Sequence, residues 1–96
     1  MRSIDETDRL AEQLGAALCD ILESADEQHI AEQVREKVLP FDAGGALDIA
    51  VHEIDNNDID PTPVMDLART YDAALGYDHE VLEILEETQS RIHRHS

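Results

Sequence analysis

The side chains best able to do chemistry in this sequence are carboxylates gathered near its centre. The segment from Leu39 to Met65 is rich in acids, and no lysine or arginine stands between Lys37 and Arg69. Collecting like charge costs self-repulsion unless a cation approaches it. The acids are Asp42, Asp48, Glu53, Asp55, Asp58 and Asp60. Because no neighbour in the sequence neutralises them, we interpret them as a surface for a positively charged partner.

Pairs of histidine and carboxylate raise the question of metal binding. Asp48 and His52 are four residues apart, as are His79 and Glu83, so each pair can share one face of a helix. Neither pair completes a ligand set such as His-Glu-x-x-His. The turn that begins at Asp55 has the composition of a calcium loop but lacks glycine at the sixth position. The sequence therefore predicts no metal site and no cofactor.

Patterns typical of catalysis are missing from the sequence. It has no nucleophile elbow and no Ser/His/Asp spacing, and the acids flanking Gly44 and Gly45 disfavour phosphate binding. Two carboxylates act as acid and base only where their surroundings separate their pKa values, and 23 acidic residues pair by chance. The lone Cys19 has no cationic neighbour in sequence to lower its pKa, so we expect a buried structural thiol. We expect a protein that is not an enzyme.

Length and charge narrow the function further. Ninety-six residues predict a single domain, 1–96, and a hydrophobic fraction of 42% is that of a folded chain. A net charge of -16 repels nucleic acid and anionic membranes and attracts basic proteins. Residues 1–3 show no secretory signal pattern, and no apolar run approaches the ~18 residues that a membrane span needs. We expect a cytoplasmic protein.

The elements that must position these groups are helices. Apolar residues recur at helical spacing, and no alternating strand pattern is present, which predicts an all-α fold: one small bundle of four to five short helices. The expected helices cover about 5–23, 26–39, 43–55, 63–75 and 79–92. Whether the first two are separate or form one bent helix stays open. In the third helix the expected buried face consists of Leu47, Ala50, Val51 and Ile54.

Several helix ends carry recognisable signals. Asp42 is the expected N-cap of the third helix, and Gly76 stands where a C-terminal glycine belongs after the fourth. The sequence from Asp55 to Asp58, Asp-Asn-Asn-Asp, predicts a turn of residues that tolerate left-handed geometry. Asp78 is the expected cap of the fifth helix.

Aromatic residues are few: Phe41, Tyr71 and Tyr77 are the whole set. This scarcity predicts an aliphatic core and argues against a platform on which nucleic-acid bases stack. Tyr71, Tyr77 and His52 are candidate anchors for a partner if their side chains are exposed.

The middle of the chain resembles a known class of binding proteins. The resemblance rests on the run from Phe41 to Ala50, Phe-Asp-Ala-Gly-Gly-Ala-Leu-Asp-Ile-Ala, on the polar turn at 56–59, on a proline-containing cap, and on Leu-Gly-Tyr at 75–77. These features, within residues 41–85, resemble the small helical immunity proteins of bacterial polymorphic-toxin and contact-dependent-inhibition systems, the MafI-like class. The resemblance implies a protein that binds a cognate toxin, often a basic nuclease, and occludes its active site or a neighbouring exosite.

Under this hypothesis the partner is a basic protein, a cognate toxin domain, with no direct contact to nucleic acid or membrane. The predicted charge contacts are Asp48, Glu53, Asp55, Asp58 and Asp60. Two alternatives stay open. One lysine against six arginines is the composition of a haloarchaeal protein, which would make the chain a regulatory or assembly subunit. Carboxylates could also stand in for phosphates in a nucleic-acid mimic.

Overall fold

The chain folds into helices joined by short turns. The computed structural model describes the backbone of residues 4–94 and the side chains of residues 6–94. Within this range it contains no strand, which confirms the all-α fold class. The five α-helices are α1 (Ile4–Ser24), α2 (Gln28–Gln33), α3 (Ala43–Asn56), α4 (Met65–Leu75) and α5 (Glu80–Arg94), with a π-helical segment at Val34–Val38 and a 3₁₀ turn at Thr62–Val64.

The core lies where α1 meets α3 and α4, and α5 covers α3 and α4 from the other side. Leu14, Leu18 and Leu22 of α1 are fully buried at intervals of four residues. All four apolar residues expected to form the buried face of α3 are inaccessible to solvent, which confirms that prediction. Full burial of each such leucine or isoleucine contributes about 1.5–3 kcal/mol.

The first two helices are separate, which resolves the alternative that the sequence left open. Asp26 adopts a left-handed conformation with φ 66°, and the amide of Glu27 donates to the Leu22 carbonyl at 2.8 Å. The predicted second helix at 26–39 is therefore shorter at its start and changes type within its length. After α2 the backbone widens into the π-helical segment, where the Leu39 amide donates to the Val34 carbonyl at 2.8 Å.

Leu39, which directly follows the π-helical segment, packs against α1 at Gly15. A Cβ added to Gly15, which is buried in the middle of α1, would lie 2.7 Å from Leu39 Cδ1. Glycine is a poor helix former. A residue larger than glycine here would require the end of the Leu39 side chain to shift.

Two predicted caps are present. Asp42 Oδ1 accepts from the Gly45 amide at 3.0 Å at the start of α3, and a Cβ on Gly45 would collide with the same carboxylate. Gly76 ends α4 with φ 77°, the left-handed C-cap conformation. Asp58 and Asp78 also have positive φ, 54° and 50°, so aspartates form three of the turns. In the structure α4 begins at Met65, after the 3₁₀ turn, rather than at 63.

Candidate functional site

A groove of about 750 Å³ opens between the first turns of α1, the segment leading into α3 and the end of α4. All three aromatic side chains of the protein line it: Phe41, Tyr71 and Tyr77. Four carboxylates line it as well, from Asp8, Glu12, Asp42 and Asp78. We call this surface, defined by these seven residues, the acidic groove.

The aromatic residues differ in exposure. Phe41 follows Pro40 in the turn before α3 and is 84% exposed, and Tyr77 follows the Gly76 cap and is 69% exposed. Tyr71, on the inner face of α4, is only 8% exposed. Large exposed aromatic rings are unfavourable in water and are the side chains that binding interfaces most often cover. Phe41 and Tyr77 are therefore the accessible apolar surface of the groove.

The acids of the groove are not balanced by cations. No basic residue is found among the described residues that line it. Asp8 and Glu12, one turn apart on α1, form no ion pair with any described residue. Burial raises the pKa of the Tyr71 hydroxyl, and the nearby charge of Asp78 raises it further. The groove is thus an anionic, partly apolar concave surface, which favours a cation with an apolar or planar body.

Two arginines neutralise acids elsewhere. Arg35 of the π-helical segment reaches back to α1, with Nη1 2.6 Å from Glu23 Oε1 and Nη2 2.7 Å from Asp20 Oδ1. Arg91 of α5 bridges the end of α3 and the following turn, with Nη1 2.8 Å from Asp55 Oδ1 and Nη2 2.8 Å from Asp58 Oδ1. The expectation that the central acids have no partner is wrong for Asp55 and Asp58, because their partner lies more than thirty residues away in sequence.

Asp55 belongs to a hydrogen-bonded network between α3 and α5. Arg91 Nη2 donates to the Asp55 backbone carbonyl at 2.9 Å, and the buried Thr88 hydroxyl lies 2.9 Å from Asp55 Oδ1 and 2.8 Å from the Ile84 carbonyl. Arg91, and then Thr88, lower the pKa of the Asp55 carboxyl by hydrogen bonding to its charged form. These contacts make Asp55 part of the network that joins α3 to α5, although its side chain stays 35% exposed.

Asp60 acts on its own turn. Its Oδ1 accepts from the Thr62 amide at 3.0 Å and from the Thr62 hydroxyl at 2.6 Å, and its Oδ2 lies 3.4 Å from His93 Nε2. The Thr62 hydroxyl is the main cause of a lowered pKa at Asp60. Asp60 stabilises the turn before α4 and is not among the residues that line the groove.

Asp48 and His52 lie on the exposed side of α3, where Glu80 of α5 joins them. One ligand atom from each lies within 4.8 Å of the others, and all three residues are exposed. His52 Nδ1 lies 2.7 Å from the Asp48 carbonyl oxygen, and this hydrogen bond raises the pKa of His52. Glu80 is the third possible metal ligand, and sequence spacing could not identify it because it lies on α5 rather than on α3. Three exposed donors can hold a divalent ion only weakly.

His79, four residues before Glu83, makes its close contact with a different acid. His79 Nδ1 lies 2.8 Å from the Asp72 carboxylate. This contact raises the pKa of His79 and ties the loop between α4 and α5, which carries Tyr77 and Asp78, to the side of α4.

The predicted site residues thus fall at separate places instead of on one surface. Asp48, His52 and Glu53 lie along α3, Asp55 and Asp58 surround Arg91, and Asp60 caps the turn before α4. Tyr71 is a wall of the groove and not an exposed anchor, whereas Tyr77 and His52 are exposed.

Sequence reasoning missed the role of four groove residues, Asp8, Glu12, Phe41 and Asp78. The signal that could have identified Phe41 was its position. It is one of only three aromatic residues in the sequence, and it lies between a proline and a helix cap, where an apolar side chain has no helix to pack against. No sequence spacing links Asp8 and Glu12 to residues near 41 or 77, because packing of α1 against α3 and α4 brings them together.

None of the described helices has an apolar stretch long enough to cross a membrane. Comparisons with protein-family models, curated proteins and solved structures find no match to this chain.

Proposed function

We propose that this chain is a cytoplasmic binding protein, without catalytic activity, that captures a basic protein and acts as the immunity protein of a toxin domain. One observation carries the proposal: the acidic groove unites every aromatic residue of the chain with four carboxylates, and none of its described lining residues is a cation. A basic surface would gain both charge neutralisation and aromatic contact at this place.

The aromatic and the acidic residues of the groove contribute to binding in different ways. Exposed aromatic rings that become covered supply affinity, whereas acids around them mainly accelerate association and exclude anionic competitors. Phe41 and Tyr77 are the anchors in this account, and Asp8 and Glu12 supply the charge. The mechanism is occlusion, in which the domain covers the cleft of a basic enzyme or a site beside it.

The acids first predicted as contacts divide into two groups. Asp48 and Glu53 on α3 have no arginine partner among the described residues. Asp55, Asp58 and Asp60 are held by Arg91, Thr62 and His93. We propose that the second group contributes to the long-range field but not to direct contact.

The test begins with the gene immediately upstream, which should encode a large secreted protein with a basic C-terminal domain. Expression of that domain alone should arrest growth of a bacterial host, and co-expression of this chain should restore it. The two purified proteins should form a complex. An upstream gene of unrelated metabolism, or growth arrest that persists on co-expression, would refute the immunity proposal.

Charge reversal localises the interaction. Asp8→Lys with Glu12→Lys reverses two exposed acids of the groove and should greatly weaken binding at moderate salt. Glu86→Lys with Glu87→Lys makes the same change in net charge at exposed helical positions outside the groove, and should retain most of the affinity. Equal losses in the two double variants would show that overall charge, not this surface, governs binding.

The salt dependence of folding discriminates the haloarchaeal alternative. A halophilic domain with net charge -16 should lose its fold below about 1 M KCl, because its charges then repel one another unscreened. An immunity protein should stay folded near physiological ionic strength. Thermal melting followed by circular dichroism across KCl concentrations measures this directly.

A further inference from the structure

We propose that the acidic groove is an arginine receptor: it takes a guanidinium group presented by the partner, with the planar group against Phe41 and Tyr77 and its N–H donors towards the carboxylates. This inference rests on the proposed capture of a basic protein and names the side chain that the groove recognises.

The composition of the groove points to arginine. Phe41 and Tyr77 are two of the three large apolar side chains that are exposed among the described residues, and both line this groove. A guanidinium is planar and weakly hydrated, so it stacks on aromatic faces while its edge donates to carboxylates. A lysine ammonium is compact and strongly hydrated, so it gains less from exposed rings.

The arrangement of the acids suits the planar set of N–H donors on a guanidinium group. Asp8 and Glu12 stand one turn apart on α1, and Asp78 reaches the groove from the opposite element, the loop after α4. Carboxylates supplied from two elements can receive N–H groups on more than one edge of a guanidinium. Asp42 Oδ1 already accepts a hydrogen bond from the Gly45 amide. Asp42 therefore contributes negative charge to the groove rather than two free acceptor oxygens.

A second copy of this chain is a poor occupant. Each copy carries a net charge of -16, and pairing two grooves would bring their unneutralised carboxylates together. A neutral apolar peptide would cover the rings but would leave those carboxylates without counter-charge. Charge complementarity therefore selects a cationic side chain.

The chain contains its own reporter for this site. It has two tyrosines and no tryptophan, and both tyrosines line the groove. Tyrosine fluorescence of the unmodified protein should change in a saturable manner when a capped seven-residue peptide with two arginines is added. The counterpart with two lysines should bind at least about threefold more weakly. The counterpart with two citrullines, which keep the shape and lose the charge, should give no saturable change.

Variants place the binding in the groove. Phe41→Ala with Tyr77→Ala should weaken the arginine peptide by roughly fivefold or more, measured from amide chemical shifts. Ile49→Ala is the matched control, because Ile49 is 42% exposed and lies outside the groove. It should leave the affinity unchanged. Melting temperatures of all variants check that the fold is kept.

The charge part of the proposal has its own matched pair. Asp8→Asn with Asp78→Asn should weaken the arginine peptide, and asparagine tolerates the left-handed backbone of residue 78. Glu86→Gln with Glu87→Gln removes the same charge from exposed positions of α5 outside the groove and should have little effect.

The outcomes separate this inference from the proposed function. Equal binding of arginine and lysine peptides, equal losses in groove and control variants, or self-association abolished by Phe41→Ala would each overturn the arginine proposal. A toxin domain that is still neutralised by the Phe41→Ala and Tyr77→Ala variant would overturn it as well, while immunity stands. Absence of rescue by the unmodified chain would refute immunity, yet the peptide titration would still give its own answer.

Discussion

Replacing Asp55 should destabilise the fold, whereas replacing the neighbouring surface acid Asp48 should not. Asp55 joins α3 to α5 through Arg91 and Thr88, and its side chain is 35% exposed. The Asp48 side chain is 60% exposed and lies near His52 and Glu80. Asp55→Ala and Asp48→Ala each remove one negative charge from a protein of net charge -16. The comparison therefore cancels the relief of self-repulsion that both changes bring.

The magnitude follows from the contacts that Asp55→Ala removes. The bond from Thr88 is worth about 0.5–1.5 kcal/mol, and the ion pair with Arg91, being partly exposed, adds about 0–1 kcal/mol. Thr88 still donates to the Ile84 carbonyl and Arg91 still reaches Asp58, so no buried group is left unpaired. We expect Asp55→Ala to be less stable than Asp48→Ala by about 1–2 kcal/mol.

The assay is urea denaturation followed by circular dichroism, with thermal melting as a second readout. For a domain of this size, 1 kcal/mol shifts the melting temperature by about 4–8 °C. Equal stability of the two variants at neutral pH would refute the conclusion that the hydrogen-bonded network of Asp55 between α3 and α5 stabilises the fold.

Acid pH gives the same prediction an independent check. The folded-state pKa of Asp55 lies below its ordinary value of 3.8, because Arg91 and Thr88 stabilise the charged form. Its stabilising contribution is therefore complete above that value and is lost as the pH falls through the lowered pKa. The difference in unfolding free energy between the unmodified protein and Asp55→Ala should stay constant near neutrality and shrink below about pH 4. A difference that widens in acid would contradict the sign.

Three further predictions address the core, a loop and the thiol. Leu85→Ala empties a fully buried position on α5 and should cost about 2–5 kcal/mol in urea denaturation, and a loss under 1 kcal/mol would contradict the packing described. The pKa of His79, raised by Asp72, should fall in Asp72→Asn when its ring is titrated by NMR; in the unmodified protein the pair stabilises the loop at low pH and is lost as the pH rises through that raised pKa. Burial raises the pKa of the Cys19 thiol, although Arg35 opposes it, so the folded protein should react with a disulfide reagent only slowly, and fast labelling without unfolding would contradict this.

Local patterns predicted the fold well because each acts over a few residues. The apolar spacing of α3, the Asp42 cap and the Gly76 C-cap depend on neighbours within one or two turns. The π-helical segment was not predictable in the same way. It exists because Val34 and Leu39 must both reach partners on other helices, and helical periodicity contains no signal for that extra residue per turn.

The grouping of the acids could not be predicted from the sequence. Net charge alone suggested a cationic partner, which stays a prediction, and it says nothing about where the acids lie in the fold. Position failed because counter-charges are distributed by the tertiary fold: Arg91 lies 36 residues from Asp55 in sequence and directly beside it in space. The same packing assembles the groove from α1, the turn at Phe41 and the loop at Tyr77, which share no local pattern.

The aspartates in the turns meet a requirement of the backbone conformation that does not depend on their negative charge. Asp26, Asp58 and Asp78 occupy left-handed conformations that asparagine also tolerates and that most other residues avoid. Exchange between these two residue types changes one unit of charge and leaves the chain path as it is. Substitution at Asp26 and Asp78, which form no ion pair with a described residue, can therefore adjust the acidity of the molecule to the salinity of its surroundings in single steps, whereas at Asp58 it also removes the ion pair with Arg91.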